Sequence, residues 1–198
     1  MKKSLALLLV AGLALPAAAQ KMKMHSGSFD ALKGEKTVDL RFTYENMKVG
    51  KHAEADYLAK KVKEYNEKEA GKGDNFAKSW VADRMARFEP KFEELFNDEG
   101  PVSGSRDNAE AKYSFVINTD FTEPGYNIGV SKMPASINAT IKLVEKASGS
   151  ELGAMTVVGV PGSQFGGYDF DTGSRLAESY AKLGKELRKY LAKNVYGK

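Results

Sequence analysis

The alternation of apolar and polar residues divides the chain into an isolated strand, a helical stretch, a run of strands and a closing helix. From Thr37 the period is two. Val38, Leu40, Phe42 and Tyr44 share one face and Asp39, Arg41 and Thr43 the other, which predicts a strand with one buried side, ended by Gly50. From Ala53 the period lengthens to three and four. Ala55, Leu58, Val62 and Tyr65 mark the apolar stripe of a helix closed by Gly71-Lys72-Gly73. Asp74 or Asn75 offers a side-chain oxygen to cap a second helix, whose stripe runs through Phe76, Trp80, Arg84 with Met85, and Phe88. Pro90 has no N–H to donate, so a kink or break is expected at Glu89, with a short helix through Phe92, Leu95 and Phe96 after it. Gly100 to Asn108 reads as loop.

Period two returns in the second half. Tyr113, Phe115, Ile117, Thr119 and Phe121 alternate with Ser114, Asn118 and Asp120, only Val116 breaking the polar face, a turn follows at Glu123-Pro124-Gly125, and Tyr126 to Ser131 is a shorter extended piece. Ile137, Ala139, Ile141 and Leu143 form the next strand, which a turn around Gly149 joins to its partner from Leu152 to Val160. In this register Ile141 and Leu143 face the core and Lys142 faces away. The last helix spans about 174–194, with Leu176, Tyr180, Leu183, Leu187 and Leu191 as its stripe and Gly184 expected to allow close approach to the sheet. One-faced strands and one-striped helices predict an α+β fold: a two-layer sandwich, its mainly antiparallel sheet of four or five strands covered on one face by helices.

The first residues are of another kind. Lys2 and Lys3, an apolar run from Leu5 to Leu15 and the small residues Ala17 and Ala19 compose a secretory signal peptide over 1–19, cut between Ala19 and Gln20. The expected location is therefore periplasmic or otherwise exported. Without cysteine no lipid anchor can form at the new terminus. Residues 20–36 are polar and methionine-spotted and are expected to be a flexible tether, leaving 37–198 as a single domain. Loss of Lys2 and Lys3 with the leader lowers the formal charge from +4 to +2. That balance excludes the broad positive field of a nucleic-acid binder.

The secretion signal, the element order and the hairpin from Leu143 to Leu152, with its Glu145, Ser148-Gly149 turn and returning Leu152, resemble small exported bacterial domains of unknown function with a fold similar to the TolB amino-terminal domain. The likeness covers roughly 113–194, with 37–44 as the first strand. It implies a non-catalytic envelope protein that binds or assembles with an envelope protein or polymer, and it carries over no functional residues.

Candidate chemistry is sparse. His25 and His52 stand apart and no cysteine exists, so no zinc set and no cysteine nucleophile is expected, and no cofactor motif occurs. Glu93 and Glu94 point about 100° apart on a helix and read as a solvated face. Asp169 and Asp171 could begin a calcium loop, but Tyr180 stands where its bidentate Glu belongs, so a turn with a helix cap is the plainer reading. Trp80, Phe88, Phe92 and Phe96 read as core. The basic tail from Lys182 reads as a solvated face, with peripheral contact to anionic lipid as its functional alternative. The Gly-rich stretch 161–173 is longer than a simple connection requires, and its Gln164, Phe165, Tyr168 and Asp169 are the candidate binding residues. The sequence therefore points to a non-enzymatic envelope binding or assembly module. A carrier or sensor of a small apolar ligand and a hydrolase of envelope polymer are the rival readings.

Overall fold

The computed structural model describes residues 20–127, 130–163 and 171–197, so the proposed leader and the candidates Gln164, Phe165, Tyr168 and Asp169 lie outside the described residues. The chain is α+β. Its strands are β1 (Lys21–Gly27), β2 (Thr37–Thr43), β3 (Lys48–Val49), β4 (His52–Ala53), β5 (Ser103–Arg106), β6 (Tyr113–Glu123), β7 (Tyr126–Asn127), β8 (Lys132–Met133), β9 (Ser136–Glu145) and β10 (Glu151–Pro161). Its α-helices are α1 (Glu54–Asn66), α2 (Lys72–Asp83), α3 (Glu89–Asn97) and α4 (Thr172–Asn194). The main sheet runs in the order β1-β10-β9-β6-β2-β5, with β3 and β4 at one end, so it has eight strands rather than four or five. It is also mixed: β2 lies parallel to both β5 and β6, because the whole helical stretch crosses over between β2 and its neighbours.

Two of the additional strands correct specific expectations. Residues 21–27 are no tether; they form the edge strand β1, paired antiparallel with β10 from Lys21↔Val158 to Gly27↔Gly153. The segment that follows is fixed as well. Phe29 and Leu32 are fully buried, Phe29 meets the ring of Phe115 edge-on at 5.1 Å, and the Tyr196 hydroxyl donates to the Leu32 carbonyl at 2.7 Å. The expected loop 100–108 contains β5. Gly104 makes it possible, since a Cβ there would lie 2.8 Å from the Phe96 ring, and the Asn97 carboxamide pairs with both its N–H (2.7 Å) and its carbonyl (2.8 Å).

The strands β9 and β10 pair as read, with Ile141 and Leu143 fully buried and Lys142 exposed in an ion pair with Glu151 at 2.9 Å. Helices α3 and α4 cover this face of the sheet, and between the layers Phe92, Phe96, Phe115, Ile117, Leu183 and Leu187 are wholly excluded from solvent. Gly184 serves a different approach from the expected one. A Cβ there would stand 2.3 Å from the Phe92 carbonyl oxygen, so this glycine lets α4 meet α3 and not the sheet. The break before Pro90 takes the form of a π-helical turn, Arg84–Phe88, which joins α2 to α3 without separating them.

Helices α1 and α2 form a hairpin at the margin of this core. No residue of α1 is buried, and Ala55, placed on the stripe by periodicity, is exposed. Gly73 is the crossing point, because a Cβ there would meet the Val62 carbonyl oxygen at 2.1 Å; the Asn66 side chain accepts from its N–H at 2.7 Å. Among the described residues no helix is long and apolar enough to cross a membrane.

Candidate binding cleft

The hairpin is tied to the core by charge. Glu54, in the first turn of α1, accepts hydrogen bonds from the Trp80 indole and the Arg84 guanidinium, and Arg84 lies 4.1 Å from the centre of the Tyr44 ring. The Tyr44 hydroxyl donates to Glu89 at 3.4 Å, and Arg106 donates to both Glu89 (3.3 Å) and Glu93 (3.0 Å). Deeper still, the Tyr180 and Thr119 hydroxyls are 2.7 Å apart. Burial, above all, pushes the phenols of Tyr44 and Tyr180 well above the ordinary tyrosine range, so both stay neutral. The recess beside this seam, about 600 Å³ and lined by Arg41, Glu89, Glu93, Arg106 and Asp107, thus has two of its carboxylates, Glu89 and Glu93, held by Arg106.

A second recess differs in kind. It is a cleft of about 320 Å³ between the α1–α2 hairpin, the β3–β4 turn, the 123–126 turn and the first turn of α4. Four rings line it, Tyr57, Tyr65 and Phe76 from the helical hairpin and Tyr126 from the 123–126 turn. Tyr65 meets Phe76 edge-on at 5.2 Å, and Tyr57 packs against Trp80 at 5.3 Å, so the hairpin fixes the rings. Lys51, Lys60, Lys61 and His52 stand on the same lining. The Lys61 ammonium lies 5.9 Å from the Tyr57 ring centre and 5.5 Å from that of Tyr65, within cation–π range. Burial first, then the nearby Tyr65 and Glu123, raise the Tyr57 phenol above its usual range. The floor is set by Arg175, which donates to the carbonyls of Pro124 (3.3 Å) and Gly125 (3.2 Å) and to Thr172 (3.3 Å).

The cleft therefore offers flat apolar faces beside several cations and the Glu123 carboxylate, whose Oε1 accepts from the Gly125 N–H at 3.1 Å, a combination suited to an anionic group carried next to a ring at the lysine side. None of these residues is among the sequence candidates. Tyr65 and Phe76 are read from the sequence as helix-stripe positions, and only the marginal placement of the hairpin leaves their rings accessible. The four candidates of the Gly-rich stretch lie outside the described residues, but its ends are placed. Gly162 donates to the Ala135 carbonyl at 2.7 Å, and Asp171 caps α4 by accepting from the Ser174 N–H at 2.9 Å, which makes it the helix cap of the plainer reading. Trp80, Phe88, Phe92 and Phe96 are core, as expected. Glu93 is held by Arg106 and Glu94 by Lys91 (2.7 Å). His25, on β1, hydrogen-bonds Thr156 across the outer sheet face, far along the chain from His52 on the cleft rim. Among the described residues no three His, Asp or Glu side chains gather as metal ligands.

No family model and no curated protein matches the chain. Among solved structures it is similar to a PelC dodecamer subunit from Paraburkholderia phytofirmans, 14% identical, over 84% of this chain and 98% of that one, with a TM-score of 0.39. It is also similar to protein XCC0632 from Xanthomonas campestris, of the DUF330 family of unknown function, 11% identical, over 79% of this chain and 85% of that one, with a TM-score of 0.38. Overlap this low matches no residue of the cleft to a residue of known role.

Proposed function

We propose that this chain is an exported envelope module that binds or assembles with a partner and transforms no substrate, and that the cleft beneath the α1–α2 hairpin receives the ligand. One observation carries the reading: Tyr57, Tyr65, Phe76 and Tyr126 share a cleft with Lys51, Lys60 and Lys61. The ligand class is an anionic group beside a flat or apolar ring. Two further facts support binding over chemistry. Four of the buried or half-buried acids, Asp39, Glu54, Glu89 and Glu93, are each held by an arginine. The space between helices and sheet is filled by side chains, which favours a surface cleft over an enclosed apolar carrier site. The leader over 1–19 supports export.

Titration with glucuronate and with phenyl phosphate, followed by amide and aromatic NMR shifts, tests the site. Shifts are expected at Tyr57, Tyr65, Phe76 and Tyr126. Lys60→Glu with Lys61→Glu should weaken binding about tenfold or more, as loss of two cation contacts implies, with no change in melting temperature. Shifts confined to other regions, or none with either compound, would overturn the assignment.

A further inference from the structure

The cleft beneath the α1–α2 hairpin holds an acid as well as its cations. Glu123, at the end of β6, shares the lining with Lys51, Lys60 and Lys61, yet among the described residues no basic side chain stands within ion-pair distance of its carboxylate. Its Oε1 accepts from the Gly125 N–H at 3.1 Å, which fixes the group against the turn, while its Oε2 accepts no hydrogen bond among the described residues. A Cβ on Gly50 would meet Oε2 alone, at 4.0 Å, and the φ of +57° there disfavours any side chain, so the space beside this oxygen stays open. The positive side is separate. Lys60 and Lys61 share Glu64, and Lys51 has no carboxylate partner among the described residues, so positive charge is left over. Tyr57 adjoins both poles. The Lys61 ammonium lies 5.9 Å from its ring centre, and Glu123, after burial and Tyr65, helps to raise its phenol above the usual range. Arg175 also faces Tyr57, from the floor, where the Pro124 and Gly125 carbonyls and Thr172 hold it.

We propose that the cleft takes a small zwitterion, a phosphate ester of an amino alcohol, with its phosphate at the lysines and its substituted ammonium on the Tyr57 and Tyr126 rings, opposite Glu123 Oε2. The proposal rests on the cleft being the ligand site and adds the second charge of the ligand. A carboxylate beside accessible aromatic faces suits a substituted ammonium, because the ring quadrupole and the anion attract the same charge. A plain anion in a recess of about 320 Å³ would be opposed by Glu123, whereas a zwitterion turns that repulsion into a second contact. The separation of the poles selects the class further. An α-amino acid carries both charges on one carbon, too close together to serve a carboxylate and lysines that do not reach each other. An amino-alcohol phosphate holds its charges apart on a short spacer.

NMR titration of the mature chain with phosphocholine, glycerol phosphate and phenyl phosphate tests it. Phosphocholine should bind about fivefold tighter than glycerol phosphate, with shifts at Gly50, Tyr57 and Tyr126. Glu123→Gln keeps the acceptor for the Gly125 N–H and should melt as the parent does. It should weaken phosphocholine about fivefold but tighten phenyl phosphate, since it removes a negative charge from beside an anion. A purely structural role for Glu123 would weaken both together. Phosphatidylcholine vesicles added as competitor separate the sources of the group: displacement of phosphocholine assigns a lipid headgroup, and no displacement a soluble ester. Equal binding of phosphocholine and glycerol phosphate by the parent would overturn the proposal and leave an anion site in the cleft. So would phosphocholine binding unchanged in Glu123→Gln, or both ligands weakened by it. Shifts with none of the three compounds would overturn the cleft as the ligand site and this proposal with it.

Discussion

Replacement of Asn97 is the sharpest test of how the sheet ends. The β5 edge would otherwise present Gly104 N–H and C=O without partners, and the Asn97 carboxamide supplies both, as acceptor at 2.7 Å and donor at 2.8 Å. Asn97→Ala removes both bonds while leaving helix α3 a better helix former. Each unpaired backbone group costs about 1–3 kcal/mol when water is kept out. Gly104 is buried but the Asn97 position is exposed, so water enters partly and the expected sum is about 1–2 kcal/mol. For a domain of this size that is a fall of roughly 2–8 °C in melting temperature. Urea unfolding should show the loss as a lower midpoint with an unchanged slope. Asn97→Asp gives a finer reading. The carboxylate still accepts from the N–H but faces the Gly104 carbonyl with negative charge. Stability should therefore be lost at neutral pH and partly regained near pH 3, where the protonated acid can donate. If Asn97→Ala costs less than about 0.3 kcal/mol, water replaces the amide and the edge is not closed by this side chain.

Three further outcomes are expected. Ile141→Ala should destabilise by about 2–5 kcal/mol and Lys142→Ala by no more than roughly 0.5 kcal/mol in urea titrations, and equal losses would contradict the β9 register. Burial opposes ionisation of Asp39, but hydrogen bonds from Ser114 (2.7 Å), Arg41 (2.8 Å) and the Asn108 N–H (3.0 Å) outweigh it and hold the carboxyl below its usual range. A depressed folded pKa contributes stability above the unfolded value of about 4 that is lost as pH falls through the folded one, so Asp39→Asn should flatten the acid limb of a stability–pH curve, and superimposed limbs would refute this. Mass spectrometry of protein recovered from its native envelope should give a chain beginning at Gln20; retained Met1 would contradict export with cleavage.

The elements that the sequence shows most clearly are those whose patterns are complete within a few residues. Alternation places β2, β6 and β9, and the turn at Gly149 adds β10 as the hairpin partner of β9. The strand β1 has the same alternation, Met22 and Met24 between Lys21, Lys23 and His25, but only two apolar positions, too short a signal to distinguish an edge strand from a tether. The strand β5 has no apolar pattern at all; Ser103-Gly104-Ser105-Arg106 is extended because Asn97 and Phe96 receive Gly104, a contact set by the packing of α3. The cleft was hidden for a third reason. Tyr65 and Phe76 occupy helical stripe positions, and periodicity reports that a face is covered without reporting how completely.

The pairing of β1 with β10 also has a temporal meaning. Among the described residues, the first strand to leave a ribosome or a translocation pore has its one main-sheet partner in the last strand made, and β2 must likewise wait for β5 and β6. Among the described residues, only short local pairs such as β3 with β4, β7 with β8 and the longer β9 with β10 can form on emergence. Loop closure on this scale slows folding, so closure of the sheet waits until nearly the whole chain is present. The edge that finishes the sheet is therefore also the one that keeps an incomplete chain open.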